Sequence, residues 1–166
     1  MGEAVFDDPL VQELLGARLV AVLSTFDEAG IIHAVPMWFA FAEHSVLLAT
    51  GSRSRKARNL ERDARATLVV HDSRPGFEVC GVSIAGEVEV ISGAAARPLV
   101  ARVHRRYVDD AAETNERVSP FLDSDDVALR FQPRSAITWD ERESSASRAL
   151  RDAGGALPLV PTEPRP

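Results

Sequence analysis

The chain lacks most of the features that would point directly to a function. It has one cysteine in 166 residues, Cys80, so no internal disulfide can form. Cys80 lies in the apolar run Val79-Cys80-Gly81-Val82 and reads as a small buried hydrophobe, not a nucleophile. No apolar run approaches the ~20 residues that cross a membrane. The opening MGEAVFDDPLVQ has no basic segment followed by an apolar one, so no signal peptide is expected and the chain reads as cytoplasmic. It contains no GxxxxGKS/T, no GxGxxG and no GxSxG motif. His33, His44, His71 and His104 lie far apart with no HxH, HExxH or CxxC spacing, so no metal site is expected. His33 and His71 fall in strands and read as satisfied strand histidines. Asp7-Asp8, Asp109-Asp110 and Asp125-Asp126 read as solvated loop or cap residues. Nothing forms a self-contained catalytic group, so any enzyme chemistry belongs to a cofactor.

The rarest residue with chemistry is lysine. Lys56 is the only one; the other eighteen basic residues are arginine. From Gly51 to Arg65 the chain holds Arg53, Arg55, Lys56, Arg58, Arg62 and Arg65 against Glu61 and Asp63. This stretch carries +4 in a chain of formal net charge −6, leaving −10 for the rest. The acidic balance argues against a nucleic-acid partner, which needs a broad basic surface. A local basic cluster at a helix start suits a phosphate, because free N–H groups and the helix dipole both favour negative charge there. The alternative is a solvated, salt-bridged helix face, with Glu61 near Arg58 and Arg65.

Length predicts one domain, and a hydrophobic content of 45% supplies an ordinary core. Asp7 or Asp8 caps a helix that starts at Pro9 and stops at Gly16. Leu19–Thr25 is a strand, Phe26–Gly30 a hairpin loop, and Ile31–Phe41 a returning strand. Pro36 in its middle implies an edge, a bulge or an opening of the sheet. Ala42-Glu43-His44 turns into a strand over Ser45–Thr50. A helix follows over Ser54–Arg62, packed through Ala57 and Leu60. Asn59, a poor helix former at mid-helix, has either a specific side-chain partner or an exposed position. Ala66–Asp72 is a strand and Ser73-Arg74-Pro75-Gly76 a turn. Phe77–Ile91 is one long strand bent at Gly81 and Gly86. A second helix is predicted over Ala94–Ala112 with the stripe Leu99, Val103 and Tyr107, and with Arg102, Arg105 and Arg106 facing solvent or a partner. A short helix near Pro120-Phe121-Leu122 precedes two short strands, Val127–Gln132 and Arg134–Asp140. After Glu143 a Pro- and Gly-rich tail with a short helical start is expected, so the domain is residues 1–142 and the tail 143–166. This order predicts a mainly β fold: a six- to seven-stranded antiparallel split β-barrel with two main peripheral helices.

Several segments together resemble a known family. They are Pro36-Met37-Trp38, a strand ending in Thr50-Gly51-Ser52, then Ser54-Arg55-Lys56-Ala57-Arg58-Asn59-Leu60 and Arg62-Asp63-x-Arg65-Ala66. Val5-Phe6-Asp7-Asp8 and Ile137-Thr138-Trp139-Asp140 add to the likeness. The sequence resembles the flavin-binding split β-barrel, or pyridoxamine-5'-phosphate-oxidase-like, family, and is most similar to the actinobacterial branch that uses the deazaflavin F420. The resemblance covers about Val5 to Asp140. It implies a homodimer with two cofactors in clefts at the interface. Arg55 and Lys56 would grip the cofactor phosphate, helped by Ser52 or Ser54. Val35, Pro36, Met37 and Trp38, with Ala49, Thr50 and Gly51, would run along the ring and ribityl chain, and Asn59 is counted with this cofactor-binding set. Trp139 would approach the ring from the other subunit, or else serve as a core residue at the barrel end. The family's C-terminal Arg-Leu-His type segment is absent, since DERESSASRAL follows Trp139, so oxidation of pyridoxine phosphate is not expected. The implied function is an oxidoreductase that passes hydride from reduced F420 to a small conjugated organic acceptor. FMN is the alternative cofactor, and a non-catalytic flavin or tetrapyrrole carrier the alternative class.

Overall fold

The computed structural model describes residues 3–73, 79–109, 111, 115–122 and 125–154. The predicted turn Ser73–Gly76, the start of the strand at Phe77, the helix end at Ala112 and the tail beyond Gly154 lie wholly or largely outside them.

A 3-10 turn, Glu3–Asp7, leads into α1, Pro9–Gly16. Asp8 caps this helix, its Oδ1 accepting from the N–H groups of Leu10 at 2.8 Å and Val11 at 3.3 Å, and Pro9 takes the first helical position. The strands are β1 Ala21–Phe26, β2 Ile32–Met37, β3 Phe39–Ala42, β4 Ser45–Gly51, β5 Arg65–Ser73, β6 Val79–Ile91 and β7 Asp126–Asp140. The remaining helices are α2 Arg55–Arg62, α3 Ala96–Arg105 behind a 3-10 turn, α4 Ser119–Leu122 and α5 Ser145–Asp152. The fold is the expected one: seven antiparallel strands in a curled sheet, with helices on its periphery.

The strand order is β2-β1-β5-β6-β7-β4-β3. The expected single strand Ile31–Phe41 is therefore two strands at opposite edges of the sheet. One residue, Trp38, joins them, so the sheet must curl until its edges meet. Pro36 sits on edge strand β2, opposite Val22, where its missing N–H costs no ladder bond.

The two expected short strands at 127–132 and 134–140 are one strand, β7. Its pairing with β6 slips once: Ala85 faces Ser135 and Gly86 faces Pro133, leaving Arg134 as the extra residue of a bulge. A side chain at Gly86 would meet the Gln132 carbonyl at 2.2 Å, so only glycine allows the strands this close. Gly81 is not a bend. It makes room for the Trp139 indole, which would lie 2.2 Å from a Cβ placed there.

Inward side chains of every strand, among them Leu23, Leu48, Leu68, Ile84, Leu129 and Phe131, fill the barrel. Each contributes on the order of 2 kcal/mol through burial. Phe6 and Leu15 from the N-terminal elements and Ala57 and Leu60 from α2 complete this core. Helix α3 covers the outside of β3, β4 and β7, where Ala40, Ala49 and Ala128 let it approach closely. It ends earlier than predicted, and its buried face is broader: Ala96, Val100 and His104 join Val103. Arg106 does not face solvent. Its guanidinium donates to the Leu15 carbonyl at 2.7 Å and to that of Ala17, and lies 4.6 Å over the Phe39 ring. Among the described residues, no helix is long and apolar enough to cross a membrane.

Candidate functional site

The β4–α2 junction is built by short polar side chains. Ser54 caps α2, its Oγ accepting from Ala57 N–H at 3.2 Å and from Thr50 Oγ1 at 3.1 Å. Ser54 N–H closes the turn on the Gly51 carbonyl at 2.9 Å. Ser52 ties the loop to the start of β7: its N–H donates to the Asp125 carbonyl at 2.9 Å and its Oγ to Asp125 Oδ2 at 2.6 Å. Gly51 pairs with Asp126.

Most of the basic cluster is neutralised within the chain. Arg55 pairs with Asp27 at 2.7 Å, Arg62 donates to the Phe26 carbonyl at 2.7 Å, and Arg65 pairs with Asp63 at 2.6 Å. The Ile31 N–H, then Arg55, hold the Asp27 carboxyl below its usual range, and Arg65 holds that of Asp63 down at about 2. Arg58 donates to the Arg53 carbonyl at 2.8 Å. Lys56 differs from these. It is half-buried at the first turn of α2 and makes no hydrogen bond or ion pair within 4 Å to any described residue. Burial pushes its ammonium down, and the charge of Asp126 opposes this. A partly desolvated cation at a helix start, with no described ion pair within 4 Å, fits a phosphate.

Asn59 has a specific partner. It is buried, and its Nδ2 donates to Thr25 Oγ1 at 3.0 Å. Thr25 in turn donates to the His33 carbonyl at 3.4 Å, so Asn59 fastens α2 to the β1–β2 hairpin. His33 itself is not a satisfied strand histidine: its Nδ1 is buried with no hydrogen-bond partner among the described residues.

Of the residues expected at a cofactor, Ala49, Thr50, Gly51, Ser52, Ser54, Lys56 and Asn59 fall together, while Arg55 is turned to the hairpin. On β2, Met37 points into the core, Val35 packs against it, and Pro36 is exposed. The Trp38 ring is stacked on Tyr107, with centroids 4.8 Å apart. Trp139 pairs with Gly81, at the opposite end of β7 from Asp126. One chain does not bring it to Lys56.

The outer sheet face shows what the sequence order hides. The registers place Pro36, Val22, Val69, Ser83 and Ile137 in one row across five strands. The next row is Ala34, Ser24, Thr67, Ala85 and Ser135. Neither row has a charged side chain, and Ile137 is 73% exposed. Trp139 shares this face.

Sequence reading missed a second group. Asp126 is not a solvated carboxylate: its side chain is 10% exposed, and its Oδ2 lies 3.7 Å from Nε2 of His104, which is 7% exposed. The Trp38 ring stands edge-on to His104, with centroids 6.5 Å apart. Both His104 and Asp126 line a cavity of about 760 Å³ between α3, α4 and the start of β7, with Arg97, Arg105, Val100 and Leu122. A volume of this size suits a small organic ligand. The only signal in the sequence was the spacing of His104 four residues after Val100, which puts it on the buried face of α3.

A family model for pyridoxamine 5'-phosphate oxidase matches residues 8–140. The chain belongs to this family. Among solved structures, a family fold with the same architecture is a conserved hypothetical protein from Mycobacterium tuberculosis, 26% identical, TM-score 0.67, covering 86% of each chain. An F420 reductase is 19% identical with TM-score 0.61, over 76% of this chain and 94% of that one. A haem-storage protein from Vibrio cholerae is 16% identical with TM-score 0.61, over 80% of this chain and 93% of that one. The last two likenesses show the fold alone. No curated protein sequence matches the chain.

Proposed function

We propose that the chain is a cytoplasmic, homodimeric oxidoreductase that uses reduced F420 to deliver hydride to a small conjugated organic acceptor. The observation that carries this reading is Lys56, a half-buried cation at the start of α2 with no ion pair within 4 Å among the described residues, in a family fold built around flavin-type cofactors. When bound, the reduced deazaflavin supplies the hydride. Lys56 and the first turn of α2 would hold its phosphate. Backbone groups of Val35–Trp38 and Ala49–Gly51 would line the ring and its chain, with Ser52 and Ser54 fixing the loop. The uncharged outer face around Ile137 suits a second copy of the chain. That placement would carry Trp139 to the partner's site. The cavity at His104 adjoins the Gly51–Ser52 loop through Asp125 and Asp126, and would take the acceptor.

FMN is the second reading, since both cofactors carry a phosphate beside a ribityl-linked tricycle. Titration of the purified protein with F420 and with FMN, followed by fluorescence quenching, decides between them. Tight FMN binding without F420 quenching would sink the first reading. Binding of either without oxidation of the reduced form by a panel of enones and quinones would leave a carrier instead.

A further inference from the structure

We propose that the cavity beside α3 takes a carboxylate-bearing acceptor, and that Arg97 is the residue that selects it. The proposal rests on the oxidoreductase reading above and names the class of its substrate.

The cavity wall is charged, and most of that charge is already answered. Asp125 Oδ2 accepts from Ser52 Oγ at 2.6 Å. Asp126 Oδ2 lies 3.7 Å from Nε2 of His104, and its charge also acts on Lys56. Arg105 is engaged as well. On another face of α3, Arg102 pairs with Glu43 at 3.4 Å, and just past its end Arg106 donates to the Leu15 carbonyl at 2.7 Å. Among the described residues of the wall, Arg97 is the exception. It lines the cavity from the first turn of α3, is exposed, and makes no hydrogen bond or ion pair to any described residue. In a chain of net charge −6, an arginine left unpaired on a cavity wall is a charge available to a ligand.

The ligand class follows from the rest of the wall. A guanidinium offers parallel N–H groups in one plane, which match a carboxylate. A phosphate dianion asks for more than one free cation, and Asp125 and Asp126 would repel it more strongly than a monoanion. Val100, Ala101 and Leu122 line the space with apolar surface, which suits a hydrocarbon body. Ala101, four residues after Arg97, shares its stripe of the helix and leaves room beside the guanidinium.

The length of the site sets the orientation. His104 lies seven residues beyond Arg97, roughly 10 Å along the helix axis. That end meets Asp126, which pairs with Gly51 on β4, beside the loop assigned to the cofactor. A small ring with its carboxylate on a short arm spans the distance. The anion sits on Arg97, and the conjugated end is presented to the Gly51–Ser52 loop. Arg97 touches no reacting atom in this arrangement. It sets which acceptors are held, and which way round.

The test uses full-length protein, reduced F420 and two acceptors that differ in charge: a cyclohexenone with a pendant carboxylate, and its methyl ester. The acid should have the higher kcat/KM by roughly tenfold or more, the effect of one charge-assisted contact. Arg97→Gln should raise KM for the acid to that of the ester, with kcat and the ester's constants unchanged. Arg97→Lys should keep part of the preference, and salt should shrink it in the parent. A second readout needs no cofactor. By calorimetry, cyclohexanecarboxylate should bind the parent and not Arg97→Gln, and its methyl ester should bind neither. If acid and ester react equally well and Arg97→Gln changes neither, the assignment of Arg97 fails and the oxidoreductase reading stands. If no acceptor oxidises the reduced cofactor but cyclohexanecarboxylate binds through Arg97, the carboxylate site stands and the oxidoreductase reading fails. If neither turnover nor binding is seen, both fail.

Discussion

The indole of Trp38 lies flat on the phenol ring of Tyr107, with centroids 4.8 Å and planes 6° apart. Trp38 is the single residue between the two edge strands, and Tyr107 follows α3. The Tyr107 hydroxyl donates to the Leu19 carbonyl at 2.5 Å and accepts from Phe39 N–H at 3.3 Å. One side chain thus holds both sides of the barrel's seam. Tyr107→Phe keeps the stack and loses both bonds, and should cost about 1–3 kcal/mol. Tyr107→Ala should cost more, and should red-shift the tryptophan emission. Denaturant unfolding and fluorescence spectra of the two variants check this.

Lys56 has a charge that the fold disfavours. Its lowered pKa means that the folded state gives up the proton more readily than the unfolded chain. Stability should therefore rise with pH as the solution approaches the ordinary lysine value from below. Lys56→Ala should leave the unliganded protein as stable as the parent or more so. Pyrophosphate and FMN should raise the melting temperature of the parent and leave that of the variant unmoved. Normal cofactor affinity in Lys56→Ala would refute the phosphate site.

Arg142 joins Glu13 at 2.5 Å and Asp140 at 2.6 Å, tying the end of β7 to α1. Its hydrogen bonds hold both carboxyls below their usual range. Folded pKa values depressed in this way give stability that is present above about pH 4.5 and lost as pH falls through the folded values. The melting temperatures of the parent and of Arg142→Ala should differ at pH 7 and converge towards pH 3.

Gly86→Ala should be among the worst single changes, because its methyl meets the Gln132 backbone carbonyl as well as the buried Phe131 ring. A loss of about 3 kcal/mol or more is expected from chemical unfolding. Gly81→Ala meets the Trp139 ring first. It should cost less and change the near-ultraviolet spectrum.

Ile137→Arg places a charge in the uncharged row of the outer face. By light scattering the parent should run as a dimer and the variant as a monomer. Cofactor affinity should fall with dimerisation if Trp139 completes the partner's site. A parent that is already monomeric would refute the assignment of this face.

The sequence by itself determined the local elements and singled out the basic stretch around Lys56. Asp8 and Pro9 start α1, Ser54 starts α2, and Pro36 marks an edge, because capping and the missing proline N–H act within a few residues. Lys56 stood out by composition alone, and the run from Ser54 to Ala66 was enough to suggest the family. Tertiary structure decided what those residues meet. Only strand order shows that Ile31–Phe41 is divided between opposite edges, and only register aligns Pro36 with Ile137 across five strands. Pairing distance, not charge count, neutralises Arg55, Arg62 and Arg65 and leaves Lys56 without an ion pair within 4 Å among the described residues. Asp126 and His104 looked like a loop acid and a stray histidine, and they meet because α3 packs across β7. Contacts made far along the chain depend on how the sheet closes, which no local pattern encodes.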